Sequence, residues 1–415
     1  MKLQDCIVKA KVHVLRVSLN ILTQLNHGFR AGHSCETQLL TTVDDILKPF
    51  DGGLQTDVVI LDFSKAFDTV PHRKLMHKLD NYGIRGSTHK WIAKFLMHRT
   101  MKVVLDGESS DEVSVDSGVP QGTVLGPLLF LCHINDLPEC VKSQVRLFAD
   151  DCLLYRTIRS FQDHIALQND LNELETWAKN WGMRFNSKKC YILSVRQKSQ
   201  FFYTLGGDIL KQVEENPYLG VLLSDDMKWD KHISNVTKKA SQTLGFLRRN
   251  LRTCPIDCRR TAYIALVRPI MEYAGTVWDP YYKKDVNRLE RVQHQAARFI
   301  TKDYHSREPG CVSEMLENLD IPSLTHRRKE ARLNLMYKLV HDQLPALPQS
   351  NFLKPAKQRR KIRVPSHLKD YVADTTTTDR LVYNNSKCYV VPPSKTDQYK
   401  HSFFCGNCVS MESSG

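Results

Sequence analysis

Phe148-Ala149-Asp150-Asp151 lies between Val145-Arg146-Leu147 and Cys152-Leu153-Leu154-Tyr155. The pattern predicts two short apolar strands that meet at a tight bend carrying adjacent carboxylates. Two anions held at a sheet edge suit a hard divalent cation such as Mg²⁺, which takes carboxylate oxygens and leaves positions for water and phosphate. An Asp-Asp pair is equally ordinary solvated turn chemistry, so the bend alone does not decide. A third carboxylate, Asp62, follows the apolar run Val58-Val59-Ile60-Leu61, which reads as a strand buried on both faces. A carboxylate there is costly unless paired or metal-bound.

Three carboxylates on neighbouring strand ends can hold two divalent ions, one activating an attacking hydroxyl and one stabilising a leaving oxygen in phosphoryl transfer. The segment Ser117-Gly118-Val119-Pro120-Gln121-Gly122-Thr123-Val124-Leu125-Gly126-Pro127 falls between Asp62 and the bend. Its glycines allow close backbone approach to a ligand.

The elements that must position these groups follow from periodicity. Leu39, Leu40, Val43, Ile46 and Leu47 predict a helix over 35–50, ended by Asp51-Gly52-Gly53. Helical segments are expected at Leu75–Leu79, Trp91–Met97, Leu125–Ile134 and Ile165–Trp181, the last with Leu167, Leu171, Leu174 and Trp177 on one face. A strand pair over 101–116 should turn at Asp106-Gly107, and another strand is expected at Tyr191–Val195. Beyond Tyr218–Leu223 the pattern turns helical, near 230–250, 256–272 and 284–301, and is rich in Lys238, Lys239, Arg248, Arg249, Arg259 and Arg260. A boundary is placed near 210–228. From about 345 onward, the Pro-rich and polar composition, Lys357–Arg363 and Thr375–Thr378 predict a loosely ordered tail.

With 59 Lys plus Arg against 45 Asp plus Glu, the 415-residue chain carries +14, which favours polyanionic partners such as nucleic acid. The length suffices for two or three domains. Twelve cysteines without framework spacing, and an N-terminus interrupted by Lys9, Lys11, His13 and Arg16, point to a reduced intracellular chain in nucleus or cytoplasm. The longest apolar stretch, Val124 to Ile134, contains Gly126 and Pro127 and is too short to span a bilayer, so no membrane segment is expected. Composition says nothing of oligomeric state.

Taken together, Leu61-Asp62-Phe63-Ser64-Lys65-Ala66-Phe67-Asp68, Gly118-Val119-Pro120-Gln121-Gly122 and Phe148-Ala149-Asp150-Asp151 resemble, in order and approximate spacing, the reverse transcriptases of non-LTR retrotransposons of the jockey, CR1 and L2-like groups. The likeness runs from about Ile21 to beyond residue 340, and three boxes together are specific where one would be weak. It implies an α+β right-hand polymerase fold: partial fingers and an antiparallel palm sheet over 1–215, a helical thumb and connection-like region over 216–345, and a basic tail over 346–415. The implied activity is RNA-directed DNA synthesis with Mg²⁺, or Mn²⁺ as the alternative ion. Implied partners are an RNA template, a DNA primer and deoxynucleoside triphosphates.

Roles carried over box by box make Asp62 and Asp150 the principal metal ligands, with Asp151 completing the site and the Phe63 carbonyl assisting. Asp68 has a structural place. Phe67 corresponds to the bulky residue under the sugar that rejects a 2′-hydroxyl, and Gln121 and Gly122 to the lining of the nucleotide and template pocket. His27-Gly28-Phe29-Arg30-Ala31-Gly32-His33-Ser34 resembles the fingers box whose arginine contacts the triphosphate, which makes Arg30 the clamp. Trp181 to Cys190 resembles a later palm box in which a lysine protonates pyrophosphate. Lys189 fits that place, and Lys188 beside it stays open. Tyr218-Leu219-Gly220 resembles the primer grip, and the basic thumb residues would follow phosphates without reading sequence.

The resemblance also has departures. Family members carry more fingers sequence and an endonuclease upstream, and residues 1–20 do not resemble the expected preceding segment, so the chain reads as N-terminally truncated. Cys405-Gly406-Asn407-Cys408 with His401 offers one CxxC and no second pair, too little for zinc. The rival reading is a catalytically inactive remnant that retains nucleic-acid binding. A phosphatase built on strand-end aspartates fits less well, because Ser64 stands two residues after Asp62, where a haloacid-dehalogenase-like enzyme would want a second Asp.

Overall fold

The computed structural model describes residues 21–97, 99–354, 362–363, 380–381, 389–390 and 392–405. The apolar run before Asp62 belongs to strand β1 (Gln55–Leu61), the centre of a five-stranded sheet. Its partners are β2 (Gln144–Phe148), β3 (Asp151–Ile158), β4 (Tyr191–Val195) and β5 (Lys211–Val213), in spatial order β5-β4-β1-β3-β2. Every pairing is antiparallel except β5 on β4.

Successive strand side chains point to opposite faces, and the two faces feed two cores. Val58, Leu153, Tyr155, Leu193 and Val195 pack with Leu39, Val43, Ile46 and Leu47 of helix α1 (Cys35–Asp51) and with the helical region beyond 218. Val59, Leu61, Cys152, Leu154 and Ile192 pack with helices α2 (His72–Asn81), α3 (Gly86–Leu96), α4 (Leu125–Ile134) and α5 (Phe161–Trp181). The expected burial of β1 on both faces is therefore what the fold uses. Helix α1 starts at a reciprocal cap: the Ser34 hydroxyl accepts from the Thr37 N–H at 3.1 Å, and the Thr37 hydroxyl oxygen accepts from the Ser34 N–H at 3.0 Å.

At the start of β1 a buried polar network fastens the sheet to α5. Asp57 accepts from Tyr203 Oη at 2.7 Å and from Gln55 Nε2 at 2.8 Å. His164 of α5 places Nδ1 2.8 Å from Tyr203 Oη and Nε2 2.8 Å from Ser199 Oγ. Every polar group of this inward-facing set has a partner, as burial demands.

The region expected to hold one strand pair contains two short ladders, Arg99–Met101 with Val113–Val115 and Val104–Leu105 with Glu108–Ser109. Asp106 and Gly107 both have positive φ at the inner turn, the backbone that a tight two-residue hairpin requires. Tyr218 and Val221 close a further hairpin, β6 (Glu215–Tyr218) with β7 (Val221–Ser224).

Helices α6 (Asp230–Asn250) and α9 (Lys283–Thr301) lie where periodicity places them. The single segment expected over 256–272 is instead broken into α7 (Ile256–Ala262), a π-helical turn over Tyr263–Val267, and α8 (Arg268–Glu272). Pro269 brings no N–H to the ladder and its ring crowds the preceding turn, which the wider turn accommodates.

Within the span expected to be a loose tail, residues 392–405 are tied down. The backbone N–H groups of Lys395 and Thr396 and the Thr396 hydroxyl all donate to Asp51 Oδ1, at 2.7, 2.6 and 2.9 Å. Tyr399, Phe403 and Phe404 join the first core. A carboxylate at the end of α1 that collects three donors, together with three buried rings, offsets the ordering entropy that polar composition alone predicts will win. Residues 1–20, 364–379 and Cys408 lie outside the described residues, as do residues 357–361 of the basic run.

Candidate active site

Asp150 and Asp151 sit where β2 turns into β3, with Phe148 paired to Asp151. The bend forces Ala149 to φ 54°, a conformation that costs a residue with a Cβ. The loop that leads into the His27–Ser34 box holds it there. Asn26 Oδ1 accepts from the N–H groups of both Gly28 (3.0 Å) and Ala149 (3.2 Å). His27 N donates to Leu147 O, and Leu147 N to Leu25 O. A Cβ on Gly28 would lie 2.4 Å from Ala149 N, so the loop can approach the turn this closely only with glycine at that position.

Register brings in the third carboxylate. Leu61 pairs with Cys152 across β1 and β3, so the next residue on β1, Asp62, emerges beside the preceding residue on β3, Asp151. Asp62 is strapped from the other side by the 184–190 segment. Asn186 N donates to Asp62 O at 2.8 Å, Ser64 N donates to Arg184 O at 2.8 Å, and the Asp62 N–H points to Cys190 Sγ at 3.4 Å. Phe63 and Phe185 stack at 4.3 Å beneath this strap. Burial and the charge of Asp62 push the Cys190 thiol up to about 11, so it stays protonated and serves as a backbone anchor.

The carboxylates repel. Burial and then the neighbouring charges of Asp150 and Asp62 push Asp151 up to about 6. Asp150 is raised by burial and by Asp62, against a lowering hydrogen bond from its own backbone. The opposite charge within reach is Lys189, whose Nζ lies 3.9 Å from Asp62 Oδ2 with both side chains solvent-accessible. Among the described residues no group of three or more His, Cys, Asp or Glu closes into a metal cage. Mg²⁺ is bound by one or two carboxylates plus waters and substrate phosphates rather than by an all-protein cage. An all-oxygen donor set that raises its own pKa values and is left open on one side therefore fits such an ion when a phosphate completes it.

The glycine-rich segment docks on the Asp62 segment. Ser117 Oγ donates to Asp68 O (2.8 Å), Gln121 Nε2 donates to Asp68 Oδ1 (3.0 Å), and Val119 N donates to Phe67 O. Gly118, at φ 89°, would place a Cβ 2.8 Å from Asp68 O. Asp68 thus joins the two boxes. Phe67 is half-buried, stacked on Phe130 at 4.3 Å and edge-on to the exposed Phe29 at 6.3 Å. Gly122 has open space around it.

Arg30 is not brought to the carboxylates: its guanidinium donates to Thr23 O and Asn26 O, and so props the loop that holds Ala149. Lys188 is exposed and makes no ion pair with Asp62, whereas Lys189 does. Ser64, Lys65, Lys179, Arg184 and Lys189 line a cleft of about 1100 Å³ beside Phe63. Gly28 and Cys190 lie inside boxes quoted from the sequence and Asn26 just outside one, but the supporting role of each carried no sequence signal, because their work is done by contacts between distant segments.

The sequence pattern of the family described as "Reverse transcriptase (RNA-dependent DNA polymerase)" matches residues 2–223. That match takes in residues 2–20, which the motifs had left outside the resemblance; the segment bears none of the chemistry-carrying boxes by which a motif reading works. The chain is 29% identical over 322 residues to "Probable RNA-directed DNA polymerase from transposon BS" of Drosophila melanogaster, covering 72% of this chain and 35% of that protein. It is 26% identical to "RNA-directed DNA polymerase from mobile element jockey" of the same organism, over 68% of this chain and 32% of that protein. It is also 26% identical to "Retrovirus-related Pol polyprotein from type-1 retrotransposable element R2" of Popillia japonica, over 51% of this chain and 37% of that protein. The chain thus spans about a third of the length of these relatives. Among solved structures, "Structure of apo telomerase from Candida Tropicalis" aligns with a TM-score of 0.44 and 10% identity, over 77% of this chain and 54% of that one.

Proposed function

The chain belongs to the reverse transcriptase (RNA-dependent DNA polymerase) family, and from that premise we propose that it extends a DNA primer on an RNA template, using Asp62, Asp150 and Asp151 as the ligands of two Mg²⁺ ions. The observation that carries this reading is the pairing of Leu61 with Cys152. It sets Asp62 beside the Asp150-Asp151 turn, where burial and mutual repulsion raise the pKa of Asp150 and Asp151. When bound, divalent ions supply charge neutralisation and activation of the primer hydroxyl.

The remaining steps fall to the chain. Phe67, held by Phe130, forms the plate under the sugar. Gln121, tied to Asp68, and the open backbone at Gly122 flank the base and template side. The cleft lined by Ser64, Lys65, Arg184 and Lys189 takes the phosphates. There Lys189, adjacent to Asp62, delivers a proton or a positive charge to the departing pyrophosphate. Residues 1–215 serve as fingers and palm, 216–345 as thumb, and the hairpin β6–β7 as primer grip.

Purified protein is expected to extend a primer on RNA only with Mg²⁺ or Mn²⁺ present, and Asp150→Asn and Asp62→Asn should each abolish extension. A parent that never extends removes the polymerase reading; variants that extend like the parent remove the site assignment. The second reading, a nucleic-acid-binding remnant without turnover, is favoured by the two carbonyl bonds that hold Arg30 back. Binding of primer–template that weakens steeply with salt, with no extension, would select it.

A further inference from the structure

The turn that joins β6 to β7 is supported from outside its own hairpin. Tyr218 pairs with Val221, so Leu219 and Gly220 make a two-residue turn, and both take positive φ, 45° and 80°, as a tight hairpin requires. A residue with a Cβ adopts that backbone at a cost, and the Leu219 carbonyl falls outside the ladder. The arms of the hairpin are held by buried side chains: Gln38 Nε2 of α1 donates to Tyr218 Oη at 3.3 Å, and Leu222 N donates to His232 Nδ1 of α6 at 3.1 Å. The tip is held by Tyr273, at the end of α8.

Tyr273 Oη donates to Leu219 O at 2.9 Å. Its ring lies against Gly220, where a Cβ would stand 3.0 Å from Cε1, so the glycine serves this close contact as well as the positive φ. The Tyr273 ring is itself 46% exposed, too open to be a member of the core. What fixes it is the backbone behind it. Tyr273 O accepts from the indole N–H of the fully buried Trp278 at 2.8 Å, Tyr273 N donates to Pro269 O at 3.0 Å, and Thr276 Oγ1 donates to Glu36 Oε1 of α1 at 2.6 Å. Burial, the hydrogen-bonded Cys35 thiol and the charge of Glu36 push the phenol up to about 12, so it remains a donor at any working pH.

A trans peptide sets its N–H opposite its C=O. Pinning Leu219 O to Tyr273 therefore turns the Gly220 N–H to the face away from that ring and stops the central peptide of the turn from flipping. The hairpin lies within electrostatic reach of the carboxylates: burial and the charge of Asp151 raise the Tyr218 hydroxyl, against a lowering hydrogen bond from Gln38.

We infer that Tyr273 is a positioning residue: its hydroxyl fixes the Leu219-Gly220 peptide, and that peptide sets where the 3′ end of a primer meets Asp151. The inference rests on the polymerase reading and on β6–β7 as the primer grip.

The test is single-turnover extension by the full chain, on an RNA template, of a primer carrying 2-aminopurine at its 3′ terminus. Tyr273→Phe deletes the hydroxyl and keeps the ring. It should slow the first addition about tenfold or more and shift the fluorescence of the bound terminus, while reaction amplitude, primer–template affinity and thermal midpoint stay as in the parent. Gly220→Ala keeps the hydroxyl and displaces the ring, and should slow the addition likewise.

An unchanged rate in Tyr273→Phe overturns the proposal whatever the amplitude does, because a support of the fold alone lowers the fraction of active protein and not its rate. A parent that binds primer–template but extends nothing removes the polymerase reading. The terminal fluorescence then decides this one, since placing a strand end needs no turnover: a shift in Tyr273→Phe upholds it and an unshifted signal overturns it. A parent that holds no primer–template overturns both.

Discussion

Asp57 and Asp62 stand five residues apart on and just beyond the same strand, and the fold treats them oppositely. Asp57 is buried and saturated, with Gln55, Tyr203 and His164 around it. Asp62 emerges beside two more carboxylates, with the exposed Lys189 the one ion-pair partner among the described residues, at 3.9 Å. The first arrangement commits its hydrogen bonds to fixing β1 against Tyr203 and, through it, His164 of α5, so it has nothing left to offer a ligand. The second leaves like charges adjacent and incompletely compensated, a state that a ligand of opposite sign relieves. Unsatisfied charge is what separates a site from a rivet.

The sharpest break of this comparison is the same substitution at both positions. Asp62→Asn should lower Mg²⁺-dependent primer extension at least ~10³-fold while leaving the denaturant midpoint almost unchanged. Asp57→Asn should do the reverse to stability: removing a buried, fully paired charge costs about 3 kcal/mol, read as a lower midpoint at unchanged slope. If both variants lose activity and stability alike, the distinction fails.

The two neighbouring lysines come next. Lys189→Met should reduce the extension rate about 100-fold with little change in nucleotide KM, and Lys188→Met should have a much smaller effect, because only Lys189 reaches Asp62. Equal losses would show that the cation acts diffusely.

The smallest expected effect is electrostatic. Asp151, raised to about 6 in the fold against an ordinary carboxylate value near 3.9 when unfolded, binds more proton folded than unfolded between those limits. Metal-free protein therefore loses stability as pH rises through that window, and the penalty is complete above about pH 6. Asp151→Asn should stabilise the chelator-treated protein at pH 7.5 by about 1 kcal/mol, after discounting for solvent screening, and by nothing measurable at pH 3.5. A gain that persists at low pH would trace the effect to packing instead.

Much of this was readable before folding. The apolar run ahead of Asp62, the bend carrying Asp150-Asp151, the helix over 35–50 and the α4 segment follow from periodicity and turn chemistry, which are local. The three boxes were legible because their residue types and order are constrained together. The break at Tyr263–Val267, the return of 392–405 onto Asp51 and the parallel edge strand β5 were not, since each depends on a partner far away in sequence. The site divides the same way. Its carboxylates were evident, but the props were not: Asn26 beneath Ala149, Cys190 behind Asp62, and Arg30 turned to Thr23 O rather than to the site.

The sequence by itself determined which groups can do chemistry and the strands that end in them, because strand periodicity and turn geometry are short-range properties of the chain. Only the tertiary structure decided which carboxylates meet. Register, set by the alternation of β1 between two cores, aligns Leu61 with Cys152, and a one-residue slip would turn every side chain of the strand to the wrong face.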